Sequence, residues 1–207
     1  MKYGSVTLGQ VEAVINKLGG EEVLRRILSG EVTVSIVETV KKATNKLLEL
    51  VGVVTVSVSE KFVVRDHFVV NTSDDAPVRI GWVSDYFQSK FLGKVEEPTG
   101  EVELKPQRLR KYSVDGPIIE ELGNFAETIM AELWALLKLQ PKGESGMLLT
   151  NGYWNVFYVR DVEGVLRAVN VSWNADDGNW DVIANSVEDL YGWRADSRIF
   201  SRNSQSA

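Results

Sequence analysis

His67 is the single histidine of the chain, so any histidine-dependent proton transfer must use it. Asp66 stands next to it, an acid beside a base. The run FVVRDHFVV at 62–70 alternates like a strand, however, and successive strand residues point to opposite faces. Asp66 then cannot orient the imidazole, and Arg65 shares its face instead. The reading is a hairpin histidine near the surface. Glycine-rich phosphate loops, nucleophile elbows and histidine metal motifs are absent from the sequence. There is no cysteine, which excludes thiol catalysis, cysteine metal sites and sulfur redox switching.

Other polar groupings have simpler explanations than chemistry. Asn174-Ala175-Asp176-Asp177-Gly178 resembles the start of a calcium loop, but the twelfth position, where a glutamate is needed, is Asn185. A hairpin turn is expected there, and no metal or cofactor is expected anywhere. Lys105, Arg108, Arg110 and Lys111 form a basic cluster, with Glu101 and Glu103 just upstream, which suits the guarded edge of a sheet. Glu120-Glu121 is read as a carboxylate pair suited to a helix start. The C-terminal third concentrates aromatic side chains, and Trp154, Trp173 and Trp180 with Asn170 are the candidates for a ligand-binding face.

The elements that must carry these residues follow from periodicity. Thr7 and Gln10 form a capping box ahead of an apolar stripe of Leu8, Val11, Ile15 and Leu18. Gly19-Gly20 ends that helix, and Glu21-Glu22 opens a second whose apolar face includes Leu24 and Ile27, closed by Gly30. A helix-turn-helix reading is weakened because Glu21 and Glu22 occupy the position that would approach phosphates. Alternation predicts a strand at 32–36, and a 3.6 period predicts a helix over 38–51. Residues 53–59 and 62–70 read as a β-hairpin turning at Glu60-Lys61. Residues 77–83 read as a strand and 85–92 as a short helix. Pro106 argues for an edge strand around 102–112. From Pro117 one long, very apolar helix is predicted to about 140, with Gly123 as its weak point. Strands at 153–160, 165–173 and 180–184, separated by short turns, predict an antiparallel meander.

The stretches TLGQVEAVINKLGGEEVLRRILSGE at 7–31 and GYWNVFYVRDVEGVLRAVNVSWNADDGNWDVIANSVEDLYGW at 152–193 resemble uncharacterised proteins of reduced-genome candidate-phylum bacteria. The resemblance implies a small bacterial cytoplasmic protein and carries over no site residues.

Composition sets the frame. The 207 residues are 44% hydrophobic and 25% charged, enough apolar material for a core without disulfides. A net charge of −6 disfavours nucleic acid and anionic lipid, and no segment reads as a membrane span. The expected fold is α+β. An N-terminal helical hairpin occupies 1–31. An α+β domain over 32–201 holds a middle β-hairpin and a C-terminal antiparallel meander packed on a long apolar helix. A frayed tail covers 202–207. The hairpin is too small to hold a core alone, so the leading functional expectation is a non-enzymatic interaction protein. Its docking residues would be Leu8, Val11, Ile15, Leu18, Leu24 and Ile27, with a protein as partner. The alternatives are a small-ligand binder using Trp154, Asn170, Trp173 and Trp180, and a carboxylate-based hydrolase.

Overall fold

Acidic side chains at the front and basic ones at the back favour a helix through its dipole, and Glu21–Leu28 forms one, α1. Arg25 closes an i,i+4 ion pair on Glu21 at 2.7 Å. In the computed structural model the described residues are 7, 9, 12, 15, 20–29 and 46–203. The chain divides into two compact units, Met1–Thr44 and Asn45–Ala207. In the first unit Gly9, Glu12 and Ile15 are also helical. The expected strand at 32–36, the first part of the helix at 38–51 and the last four residues of the tail lie outside the described residues.

The second unit is a mixed α/β body built on one large, mostly antiparallel sheet. Its elements are β1 (Leu48–Leu50), β2 (Val54–Val58), β3 (Phe62–Val63), α2 (Val64–His67), β4 (Ile80–Val83), α3 (Asp85–Phe91), β5 (Val95–Glu96) and β6 (Gly100–Leu109). They continue with α4 (Asp115–Leu122), β7 (Glu127–Thr128), α5 (Met130–Leu139), β8 (Asn155–Arg160), β9 (Leu166–Asn174), β10 (Asn179–Ser186) and β11 (Arg198–Arg202). The nine-stranded sheet runs β1-β6-β11-β8-β9-β10-β4, with β2 also on β6 and β7 also on β8. The middle strands β1, β2, β4 and β6 therefore share one sheet with the C-terminal strands, while β3 and β5 pair apart as a two-stranded sheet. The expected meander is present as β8-β9-β10, antiparallel throughout.

Several expectations are corrected. The helix predicted through residue 51 gives way to β1, whose Leu48 pairs with Leu109 of β6. The predicted hairpin does not form, because β2 pairs with β6, and Phe62–Val63 pairs instead with β5. Residues 64–67 turn helically, so that Val64 and Phe68, one turn apart, are both buried. β6 is not an edge strand. Its Pro106 turns its carbonyl to the β1–β2 side, where Val51 N–H donates to it at 2.9 Å. The missing Pro106 N–H therefore takes nothing from the ladder to β11, which pairs residue by residue with Leu104 through Arg108.

The long helix is two helices. Gly123 takes φ 58° and ψ −134°, a conformation open in practice to glycine alone, and β7 intervenes before α5 begins. A Cβ on Gly123 would meet nothing within 4 Å, so the cost of a side chain there is purely conformational. Gly123→Ala is expected to lower unfolding free energy by about 1–3 kcal/mol in urea denaturation, with the slope unchanged. A neutral substitution would mean that this break is not needed.

Two cores flank the sheet. Leu104, Phe157, Val169, Trp180 and Phe200 face α3 and α5. Leu109, Val156, Tyr158, Ala168 and Ile199 face α4 and Trp193. The wide apolar surface of α5 is explained by this burial, since even its Glu132 is fully buried. The N-terminal donors of α5 are satisfied by carboxylates. Ile129 N–H donates to Glu132 Oε2 at 3.1 Å, and Met130 and Ala131 N–H donate to Glu96 at 3.1 and 2.8 Å. No helix among the described residues is long and apolar enough to cross a membrane.

Candidate functional site

Strand alternation on the α4 face brings Trp154, Asn170 and Ile183 to one hollow, with Asp115 and Trp193 from outside the sheet. The cavity measures about 260 Å³. Asn170 sits in the middle of β9, flanked across the strands by Val156 of β8 and Ile183 of β10. Both neighbours are apolar. The Asn170 side chain is only 1% exposed, and its carboxamide oxygen has no hydrogen-bond partner. Leaving such an acceptor unpaired costs about 1–3 kcal/mol unless water or a ligand in the cavity supplies the donor.

Asp115 opens α4 and is also 1% exposed. Its Oδ1 accepts from Trp193 Nε1–H at 2.6 Å and from the Tyr158 hydroxyl at 2.7 Å. Burial pushes the Asp115 carboxyl above the usual carboxylate range, while the Trp193 and Tyr158 hydrogen bonds pull it back and Asp189 pushes it further up. Burial and the facing Asp115 charge push the Tyr158 phenol up, so it stays protonated and donates.

The segment after β10 is tied down so that Trp193 caps this arrangement. Ser113 and Trp193 form a two-way backbone bridge, with Trp193 N–H to Ser113 O at 2.8 Å and Ser113 N–H to Trp193 O at 3.2 Å. Gly192 passes so close to Ser113 that a Cβ would lie 2.7 Å from its carbonyl oxygen, a contact that no rotamer change relieves. Its N–H donates to Tyr112 Oη at 3.0 Å. Leu190 and Tyr191 remain 87% and 89% exposed, and Tyr191 lines the cavity mouth.

The sequence candidates divide between the two faces. Trp154 and Asn170 meet in this cavity. Trp173 and Trp180 lie on the opposite face, edge to face at 5.4 Å, where the Trp180 indole donates to Gln140 O at 3.0 Å. They are packing residues of the other core, with Trp180 fully buried. Asp115 was not among the sequence candidates, whereas Trp193 and Tyr191 belong to the C-terminal aromatic group from which those candidates were drawn. Of the six docking candidates, Leu8, Val11 and Leu18 lie outside the described residues, as does the side chain of Ile27. Ile15 and Leu24 are half-buried.

His67 lies in a second cavity, of about 280 Å³, with Ser57, Ser59, Lys61, Trp134 and Lys138. It is not the hairpin residue expected. Its ring stacks on Phe62 at 4.3 Å and stands 5.1 Å from Trp134. Desolvation lowers its pKa, Asp66 raises it and Lys138 lowers it further, so the neutral ring prevails at neutral pH. Among the described residues no hydrogen bond joins the ring to either serine, so the pairing that would activate a hydroxyl is not made. The 174–178 turn is closed by its own asparagine, with Asn174 Oδ1 accepting from Asp176 and Asp177 N–H at 3.1 and 3.3 Å. Arg108 of the basic cluster is paired with Glu49 at 2.7 Å. Glu121 accepts from Leu47 and Leu48 N–H at 2.7 and 3.2 Å, which ties α4 to β1. Among the described residues, no three His, Asp or Glu side chains are grouped to hold a metal ion.

No family model, curated protein or solved structure matches this chain. The functional argument therefore rests on the cavity itself.

Proposed function

We propose that this protein binds a small organic molecule in the cavity between β8, β9, β10 and the 187–193 segment. The observation that carries the reading is the unpartnered carboxamide oxygen of Asn170, buried at the cavity wall beside Asp115 and two indoles. A buried acceptor without a donor is the complement of a ligand that brings one. Binding rather than catalysis is the economical form of the proposal, because Asp115 Oδ1 is already committed to two donors. A cytoplasmic location and a ligand other than nucleic acid belong to the same proposal, resting on the cysteine-free composition and the net charge of −6.

Asn170→Leu tests it. The substitution removes the unpaired acceptor at nearly constant volume between Val156 and Ile183. Unfolding free energy is expected to stay level or to rise by about 1 kcal/mol, while stabilisation of the protein by small molecules that bring an O–H or N–H donor is weakened in a thermal-shift panel. A fall of more than about 1 kcal/mol would show that Asn170 serves folding. The reading would then fail.

Docking of a protein partner through residues 1–31 is a second proposal. One observation favours it: Leu28 on α1 is 78% exposed. Leu28→Glu is then expected to abolish capture of that partner at unchanged stability.

A further inference from the structure

The charged lining of the cavity has one sign. Asp115 and Asp189 contribute carboxylates, Asn170 a carboxamide whose oxygen is unpaired, and Asn185 and Ser186 neutral polar groups, while among the described residues no lysine, arginine or histidine lines the hollow. The rest of the wall is formed by Trp154, Trp193 and Tyr191 with Ile183 and Gly192. Aromatic faces attract cations through their quadrupole, and a desolvated carboxylate without a basic partner does the same more strongly. Both donors to Asp115 fall on Oδ1, which leaves Oδ2 for a ligand.

We infer that the ligand is a small alkylammonium compound carrying one additional O–H or N–H group, its cationic centre held by Asp115 and the aromatic walls and its donor received by Asn170 Oδ1. This rests on the small-molecule reading above and specifies its chemical class. A bare metal ion does not fit the same place, since two indoles and Tyr191 occupy much of the wall and, among the described residues, no three His, Asp or Glu side chains are grouped to hold one. An anionic or phosphorylated ligand does not fit either, because it would meet two carboxylates and no basic group. The raised Asp115 pKa is consistent with a carboxylate that lacks its counter-charge until a cation arrives.

The test titrates the full chain by isothermal calorimetry with three probes: choline, tetramethylammonium and 3,3-dimethylbutan-1-ol, the neutral isostere of choline. Choline is expected to bind at least about tenfold more tightly than the neutral alcohol. Asp115→Asn keeps an acceptor for Trp193 and Tyr158, so the wall is preserved while the charge is lost. In that variant choline is expected to fall at least about tenfold, towards the affinity of the alcohol. Asn170→Leu is expected to weaken choline by a similar factor and to leave tetramethylammonium, which has no hydroxyl, unchanged. Near-ultraviolet circular dichroism of both variants checks that the indoles keep their places.

Equal affinity for choline and its neutral isostere, or indifference of choline to Asp115→Asn, would overturn the inference while leaving the small-molecule reading intact. Binding of none of the three probes overturns the inference. If, in addition, no neutral or anionic compound of a thermal-shift panel stabilises the protein, the broader reading falls with it.

Discussion

Arg202→Met is expected to destabilise the protein by about 3–5 kcal/mol at neutral pH, one of the two largest single-site effects the fold predicts. Glu132 is fully buried at the start of α5, and Arg202, at the end of β11, reaches it with Nε at 2.9 Å and a terminal nitrogen at 2.7 Å. The side chain of Arg202 is itself only 14% exposed. The two charges are thus desolvated together. Methionine keeps much of the aliphatic bulk of the arginine and leaves the carboxylate without its counter-charge, with the Ile129 N–H still donating to it. The cost arises from that uncompensated charge rather than from lost packing.

The pH dependence has a definite sign. Burial pushes the Glu132 carboxyl above its ordinary 4.5, the Arg202 hydrogen bond and charge pull it back, and the neighbouring Glu96 pushes it up. Removing Arg202 takes away the main lowering influence, so the folded-state pKa climbs further. An acid with a raised folded pKa contributes stability that is complete below its unfolded value and is lost as pH rises through the folded value. The deficit of the variant should therefore narrow as pH is lowered from neutral towards 4.5, where Glu132 takes up a proton. Adding Glu132→Gln should restore part of the loss at neutral pH, since the amide still accepts the Ile129 N–H. Urea unfolding of the three proteins at two pH values measures this. A deficit below about 1 kcal/mol, or one independent of pH, would mean that water reaches the carboxylate.

This pair also shows where sequence reading stops. Residues 202–207 read as a frayed end, because nothing near Arg202 in the chain indicates a partner seventy positions away. The C-terminal meander was legible because its cues are local: alternating strands joined by turns such as Asp161–Gly164. The insertion of β11 between β6 and β8 joins segments far apart in the chain and leaves no local trace. The run at 62–70 misleads for a different reason. Its apolar residues satisfy strand alternation, but Val64 and Phe68 also satisfy helical spacing, and burial of both decides for the helix turn. The break of the long helix did have a local signal in Gly123.

The site was partly legible in the same sense. Asn170 and Trp173 are three residues apart in one strand, and alternation alone places them on opposite faces. That Trp154 shares a face with Asn170 depends on the register that sets Val156 beside Asn170, which is a long-range fact. Asp115 read as the residue launching a helix. Its engagement with Trp193, across seventy-eight positions, has no counterpart in local pattern.

Asp115→Ala should be nearly as damaging as Arg202→Met, at about 2–5 kcal/mol, by a different route. The substitution strands two donors, the hydroxyl of fully buried Tyr158 and the indole N–H of Trp193, which is 7% exposed. Each unsatisfied donor costs about 1–3 kcal/mol, offset in part because a carboxylate no longer has to be buried. Trp193 also loses the contact that seats it over the cavity, leaving the Ser113 bridge to hold the backbone alone. Tyr158→Phe, by contrast, removes one donor while the carboxylate keeps the other, and is expected to cost about 1 kcal/mol. Combining the two should cost less than their sum, because the phenylalanine has no hydroxyl to strand, and the coupling should be about 1 kcal/mol or more. A strictly additive double variant would show that the Tyr158 hydroxyl finds another acceptor when Asp115 is gone. The network that shapes the binding cavity would then be a consequence of packing rather than its cause.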